Sequence, residues 1–222
     1  MTEFEKQFRE VQELLEFNDF NQTIKRVIDF TLDTENIDFY TKTNEFLNWL
    51  DHNEKEDEDK KTRLKTLLDE LHAFLSKKEC HNHQTIISVK NLQKVYNASF
   101  GLGPINLDIK TGEIIGLVGE NGNGKTTLLR SLCGELHPTS GTINYQFQYD
   151  DLYDLRTKLV YIPQRTDTWR GSMYENLEFT ASCYGYLPEE NNLVVDLVIT
   201  RLGLRKFRNH YWNNLSSGYK MR

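Results

Sequence analysis

The first 79 residues contain no glycine and no proline. Without them the stretch has no cheap left-handed turn and no helix breaker, so its turns must be made by Asn, Asp and Thr. Cysteine is scarce as well. Cys80, Cys133 and Cys183 are odd in number and far apart, which excludes a disulfide framework. Cys80-His81-Asn82-His83 lacks the second ligand pair that zinc sites carry and reads as a polar linker. No apolar run approaches the roughly 18 residues of a membrane span. The start, Met1-Thr-Glu-Phe-Glu5, is acidic and has no signal-peptide pattern. A cytoplasmic chain is therefore expected, any membrane role coming through a separate partner. Basic charge is also short. The formal net charge is −6, and residues 1–84 hold 20 acidic against 12 basic side chains. Residues 85–222 hold 13 against 15 with no basic stripe, so nucleic acid is not an expected partner.

What the first region does have is helical spacing. Apolar residues recur at Phe4, Phe8, Val11, Leu14 and Leu15, then at Phe20, Ile24, Val27 and Ile28. They return at Phe39, Tyr40, Phe46, Leu47 and Leu50, and at Leu64, Leu67, Leu68, Leu71 and Leu75. Steps of three and four put each set on one helical face. Breaks fall near Asn18-Asp19, Thr34–Asn36 and 51–61, where Asn, Asp and Thr can cap the next helix. Four helices with short connections predict a small bundle over residues 1–79, a docking or regulatory module or simply a packed neighbour.

Residues 80–85 form a linker, and from Ile86 the pattern turns to short strands: 86–89, Val95-Tyr96, 105–109, 112–118, 142–147 and 159–162. Within this part, Gly119-Glu-Asn-Gly-Asn-Gly-Lys-Thr126 fits glycine, four residues, Gly-Lys-Thr, the phosphate-binding loop of nucleotide triphosphatases. Gly119, Gly122 and Gly124 let successive N–H groups converge on phosphates, with Asn121 and Asn123 between them. A helix from Lys125 to Leu132 turns its positive end to the same charge. Lys125 would reach the β- and γ-phosphates, Thr126 would ligate Mg²⁺, and Thr127 completes the first turn. The fold expected is an α/β P-loop nucleotide-binding domain preceded by an all-α bundle.

From residue 86 onward the chain resembles the nucleotide-binding domain of ATP-binding cassette (ABC) proteins. Tyr96, 23 residues before Gly119, stands where that family places an aromatic against adenine. Gln164, closing Leu159-Val-Tyr-Ile-Pro-Gln164, resembles the glutamine that touches Mg²⁺ or the attacking water. Gly171-Ser-Met-Tyr-Glu-Asn-Leu177 resembles the start of the helical subdomain, which docks the membrane subunit in transporters and here is most like exporter subunits with one cassette per chain. Leu215-Ser-Ser-Gly-Tyr-Lys220 resembles the signature Leu-Ser-Gly-Gly-Gln, which faces the γ-phosphate held by a second copy. Ser216 and Gly218 match; Ser217 stands for Gly and Tyr219 for Gln.

The resemblance implies ATP and Mg²⁺ as cofactors, a second ABC domain as partner, and a separate membrane permease at the inner face of a membrane. It also implies an apolar strand ending Asp-Glu and a later His, none of which is in this sequence. The domain over 86–222 is therefore expected to be truncated, with no catalytic residue present, weak nucleotide binding and no turnover, and the parent protein is expected to be the ATPase. Two other readings stand beside this one: an ATP-binding regulatory or scaffold module without hydrolysis, and an ABC ATPase acting on ribosomes or DNA.

Overall fold

The computed structural model describes residues 2–52, 57–78, 84–97, 100–163 and 170–220. In chain order its elements are α1 (Glu3–Glu16), α2 (Phe20–Asp33), α3 (Ile37–His52), α4 (Asp57–Leu75), β1 (Thr85–Asn97), β2 (Phe100–Lys110), α5 (Lys125–Leu132), β3 (Ser140–Tyr145), α6 (Leu152–Lys158), α7 (Met173–Cys183), α8 (Pro188–Arg201) and the single turn α9 (Ser217–Lys220). They fall into two compact units. The first joins residues 1–79 to 165–222, and the second is 80–164. The edge after Gln164 has no counterpart in the sequence pattern.

In the first unit the turns are built as the missing glycines require. Thr2 caps α1 by accepting the Glu5 N–H at 3.2 Å, and Asp19 caps α2 by accepting the Gln22 N–H at 3.1 Å. Asn18 and Glu35 take positive φ, 58° and 51°, in the two turns that flank α2. The apolar faces then close on one core: Phe8, Val11 and Leu15 of α1, Val27, Ile28 and Phe30 of α2, Tyr40, Phe46 and Leu47 of α3, and the leucines of α4. Two threonines are buried in it without cost, because the Thr31 and Thr43 hydroxyls bond each other at 2.8 Å. Desolvation, together with the neighbouring Asp29 carboxylate, raises the Asp33 carboxyl above its usual range at the end of α2.

A fifth helix completes that core. Leu193-Val-Val-Asp-Leu-Val-Ile199 of α8 is apolar on nearly every side, so one covered face is not enough for it. Val194 and Leu197 enter the core of α1–α4. Val195 and Ile199, turned about the axis, enter a second core with Met173, Ala181, Leu204 and Leu215. Asn44 of α3 donates to the Leu193 carbonyl at 3.0 Å, and Asn191 of α8 donates to the Glu178 carbonyl of α7 at 3.0 Å. Separate burial of the two apolar faces of α8 is what merges the bundle with residues 170–220.

The second unit is a three-stranded antiparallel sheet in the order β2-β1-β3. Ile87 and Val89 of the central strand face α5 by simple alternation. A bulge between Val89 and Leu92, with Asn91 at φ 49°, shifts the alternation so that Leu92 joins them. Leu128 and Leu132 of α5 cover that face.

Two expected strands are not formed. Residues 112–118 and 159–162 belong to no strand, and Ile114 and Val118 are 98% and 95% exposed. Runs of this kind suit strands with a neighbour on each side and both faces covered. Among the described residues no strand lies alongside either, so they have no ladder to join.

Leu197 is fully buried against the bundle. Leu197→Ala should therefore destabilise the first unit by about 2–5 kcal/mol, as core leucine truncations do. Urea unfolding followed by helical circular dichroism checks this; a loss below ~1 kcal/mol would mean that α8 is not part of the bundle core.

Candidate nucleotide-binding site

The loop before α5 is shaped by its glycines. Gly122 and Gly124 take φ of 91° and 79°, and Gly124 is the N-cap of α5 in the left-handed region, with no side-chain cap. The Asn123 N–H donates to the Glu120 carbonyl at 3.3 Å, folding the loop back on itself. The first bond of the helix runs from the Leu128 N–H to the Gly124 carbonyl at 2.9 Å. The N–H groups of Lys125, Thr126 and Thr127 consequently have no acceptor within the helix and mark an electropositive end. Residues 119–123 and Thr126 are exposed. The Lys125 ammonium curls over the loop, donating to the carbonyls of Gly119 at 2.6 Å and Glu120 at 2.7 Å.

Gly124 meets a further constraint. A Cβ placed on it would lie 2.7 Å from Cδ1 and 3.3 Å from Cβ of Leu102 on β2. The loop thus rests directly on the sheet. Leu102 was not singled out in the sequence, where nothing distinguishes it from any other strand leucine.

Tyr96, on β1, reaches the same helix end: its hydroxyl lies 3.4 Å from the Thr127 hydroxyl. The ring is half-exposed and stands 5.4 Å from Phe100, tilted by 31°, with the Lys94 ammonium 5.7 Å from its centroid. This places an accessible aromatic face beside the loop. Phe100 is an addition that only pairing of β1 with β2 could show, while Lys94 lies two residues from Tyr96 on β1 itself. At the far end of α5 the Tyr145 hydroxyl donates to the Leu132 carbonyl at 2.7 Å. Burial pushes that phenol up to about 12, so it stays a donor. Burial likewise raises the Cys133 thiol, which makes it a poor nucleophile.

The donor set fits a nucleotide with a divalent ion: backbone N–H groups and an ammonium for phosphate, a threonine hydroxyl for Mg²⁺, and an aromatic face for a base. Gln164 lies outside the described residues, as do Cys80, His81 and His83. No cluster of three metal-ligating side chains occurs among the described residues.

The signature-like residues belong to the other unit. Ser216 precedes α9 and accepts the Lys220 N–H on its carbonyl at 3.0 Å, while its hydroxyl accepts the Tyr219 N–H at 3.4 Å. Ser217 opens the turn, and a Cβ on Gly218 would meet nothing closer than 4.0 Å. Tyr219, where the family pattern has Gln, packs on Phe207 with ring centroids 4.4 Å apart. The Glu-Asn-Leu segment has a local explanation too. Ser172 and Glu175 form a capping box on α7, the Ser172 N–H donating to the Glu175 carboxylate at 2.8 Å. That bond, first among its causes, holds the Glu175 carboxyl below its usual range.

Comparison with known proteins gives the family. The profile of the family described as "ABC transporter" matches residues 102–222, more than half of the chain. The chain belongs to that family. It is 35% identical over 148 residues to the methionine import ATP-binding protein MetN 1 of Acinetobacter baylyi, covering 61% of this chain and 41% of that protein. It is 30% identical over 156 residues to the probable multidrug ABC transporter ATP-binding protein YbhF of Escherichia coli, covering 68% and 27%. A solved structure of an ATP-binding subunit of an ABC transporter superposes with a TM-score of 0.55 at 25% identity, over 62% of this chain and 58% of that one. The chain spans less than half the length of these two relatives.

Gly124→Ala should lower the thermal stability of the second unit by about 1–2 kcal/mol, from left-handed strain alone, and by more if Leu102 cannot turn aside. Gly122→Ala carries the strain without the clash, since nothing lies within 4 Å of its added Cβ. Thermal melts of the two variants should differ in that order.

Proposed function

We propose that this chain is the nucleotide-binding part of an ABC-type ATPase subunit that powers a separate membrane permease. The observation that carries this reading is the convergence of three things at one helix end: the glycine loop, Lys125 over that loop, and the Tyr96 ring joined to Thr127.

The roles follow from chemistry. The Tyr96 face stacks on adenine. The loop N–H groups of residues 122–127 and the N-terminal end of α5 receive the phosphates. Lys125 exchanges the two carbonyls it now holds for phosphate oxygens. Thr126, and Gln164 with it, hold Mg²⁺, which offsets the charge of the triphosphate. Ser216, Ser217 and Gly218 serve a nucleotide bound by a second ABC domain. ATP binding draws the two copies together, and hydrolysis, a property we assign to the whole protein, lets them part. MetN 1 is named for methionine import and YbhF for probable multidrug transport, so relatives of this chain differ in cargo. No described helix is long and apolar enough to cross a membrane. A cytoplasmic position at the inner membrane face, against a permease, fits the reading.

Two substitutions test it. Lys125→Ala should abolish the thermal shift given by Mg-ATP while leaving the unliganded melt within about 0.5 kcal/mol of the parent, as surface changes do. Equal Mg-ATP stabilisation with and without Lys125 would refute the site.

Tyr96→Ala should weaken nucleotide affinity by about 1–3 kcal/mol, and Tyr96→Phe should retain most of it, because stacking needs the ring and not the hydroxyl. Titration with a fluorescent ATP analogue reads both; equal losses for Ala and Phe would assign Tyr96 to hydrogen bonding instead.

A further inference from the structure

Between the end of α8 and the signature-like residues the chain makes few regular bonds of its own. It is held from two sides. On one side is the start of α7. There the Tyr174 N–H donates to the Arg208 carbonyl at 3.0 Å, the Met173 N–H to the His210 carbonyl at 2.9 Å, and the Trp212 N–H to the Gly171 carbonyl at 3.1 Å. On the other side is the N-terminal bundle. Arg201, the last residue of α8, forms a two-pronged pair with Asp29 of α2, at 2.6 and 3.1 Å. Arg205, four residues on, donates to Asp51 at 2.5 and 3.1 Å and to Asn48 at 3.2 Å, both on α3, while another of its nitrogens donates to Thr200 at 3.0 Å.

Asp51 sits where helix physics disfavours it. It lies in the last turn of α3, whose carbonyl end is already negative, and a carboxylate there is repelled. A cation lodged at that end removes the conflict, and Arg205 is that cation. Its guanidinium fork is shared among α3, the end of α8 and the turn that follows, so a planar group fixes three pieces of chain at once. The segment then runs through the turn Arg205–Phe207 to the turn Trp212–Asn214, buries Leu215 and delivers Ser216. Phe207, at the foot of this path, is the residue that Tyr219 packs against.

We propose that the N-terminal bundle is the positioning platform of the signature segment, and that Asp51, Asn48 and Asp29, through Arg205 and Arg201, set where Ser216–Gly218 are presented. The bundle is thereby a working part of the cassette. These three are positioning residues: they act on the signature through the chain from Arg201 to Leu215. The role assigned to the signature itself rests on the function proposed above, whereas the clamp does not.

Hydrogen–deuterium exchange on the full chain decides it. Asp51→Ala, at a side chain half open to solvent, should leave the fold intact. It should speed exchange across residues 205–215 at least threefold and leave β1 and α5 unchanged. The exchanged pair Asp51→Arg with Arg205→Asp should restore protection, which a loss of general packing would not allow. Unchanged exchange at 205–215 in Asp51→Ala, or no recovery in the exchanged pair, would overturn the proposal. Self-association driven by Mg-ATP tests the underlying reading separately. If Lys125→Ala leaves it unaffected, or if the parent chain shows none, the proposed function loses its support, while exchange still decides the clamp. If Lys125→Ala abolishes association and Asp51→Ala loosens 205–215 without weakening association, the platform has no bearing on the signature, and the proposal fails.

Discussion

Helix α8 is apolar almost all the way round, and a helix of that kind must be covered on more than one face. The first unit is organised by this demand. Val194 and Leu197 need the bundle; Val195 and Ile199 need α7 and the chain leading to Leu215. Each hydrophobic side chain buried there is worth about 1.5–3 kcal/mol, so neither face can be left in water without a large loss. The polar contacts at its ends are weaker individually. Arg201–Asp29 and Arg205–Asp51 are partly exposed pairs, screened by solvent, and they direct register more than they supply stability.

The second unit answers a different demand, which is to hold a glycine loop at the start of a helix, the place for which we propose anion binding. An α-helix start leaves N–H groups without acceptors, and a glycine at its cap has no side chain to satisfy them. Placing Gly124 at that cap leaves those N–H groups without a side-chain acceptor. The support comes from below, where Leu102 lies so close that a larger residue at Gly124 would have to push its side chain aside. From the side, β1 brings Tyr96 to Thr127. Two residues that are 31 positions apart meet because β1 is the central strand and α5 lies on its inner face.

Much of this was legible beforehand. The phosphate loop and the limits of α5 follow from local rules, since glycine freedom and helix starts depend on near neighbours. The four N-terminal helices follow from spacing, and their turns from Asn, Asp and Thr in place of glycine. Residues 112–118 and 159–162 were misread as strands because an apolar run records a preference for burial, while a strand also needs a neighbour to bond. Leu102, Phe100 and the Arg205 clamp were invisible for a related reason: a leucine under a glycine, or an arginine opposite an acid 154 residues away, leaves no periodic mark.

By itself, then, the sequence determined the glycine loop with the helix that follows it and the helical character of its first third, because both are written in contacts between residues a few positions apart. Only the tertiary structure decided that α8 carries the last helical segment into the bundle, that Tyr96 meets the loop helix, and that Asp51 holds the path to Ser216. Those outcomes depend on which apolar faces find each other, and a face has no partner until the chain has folded.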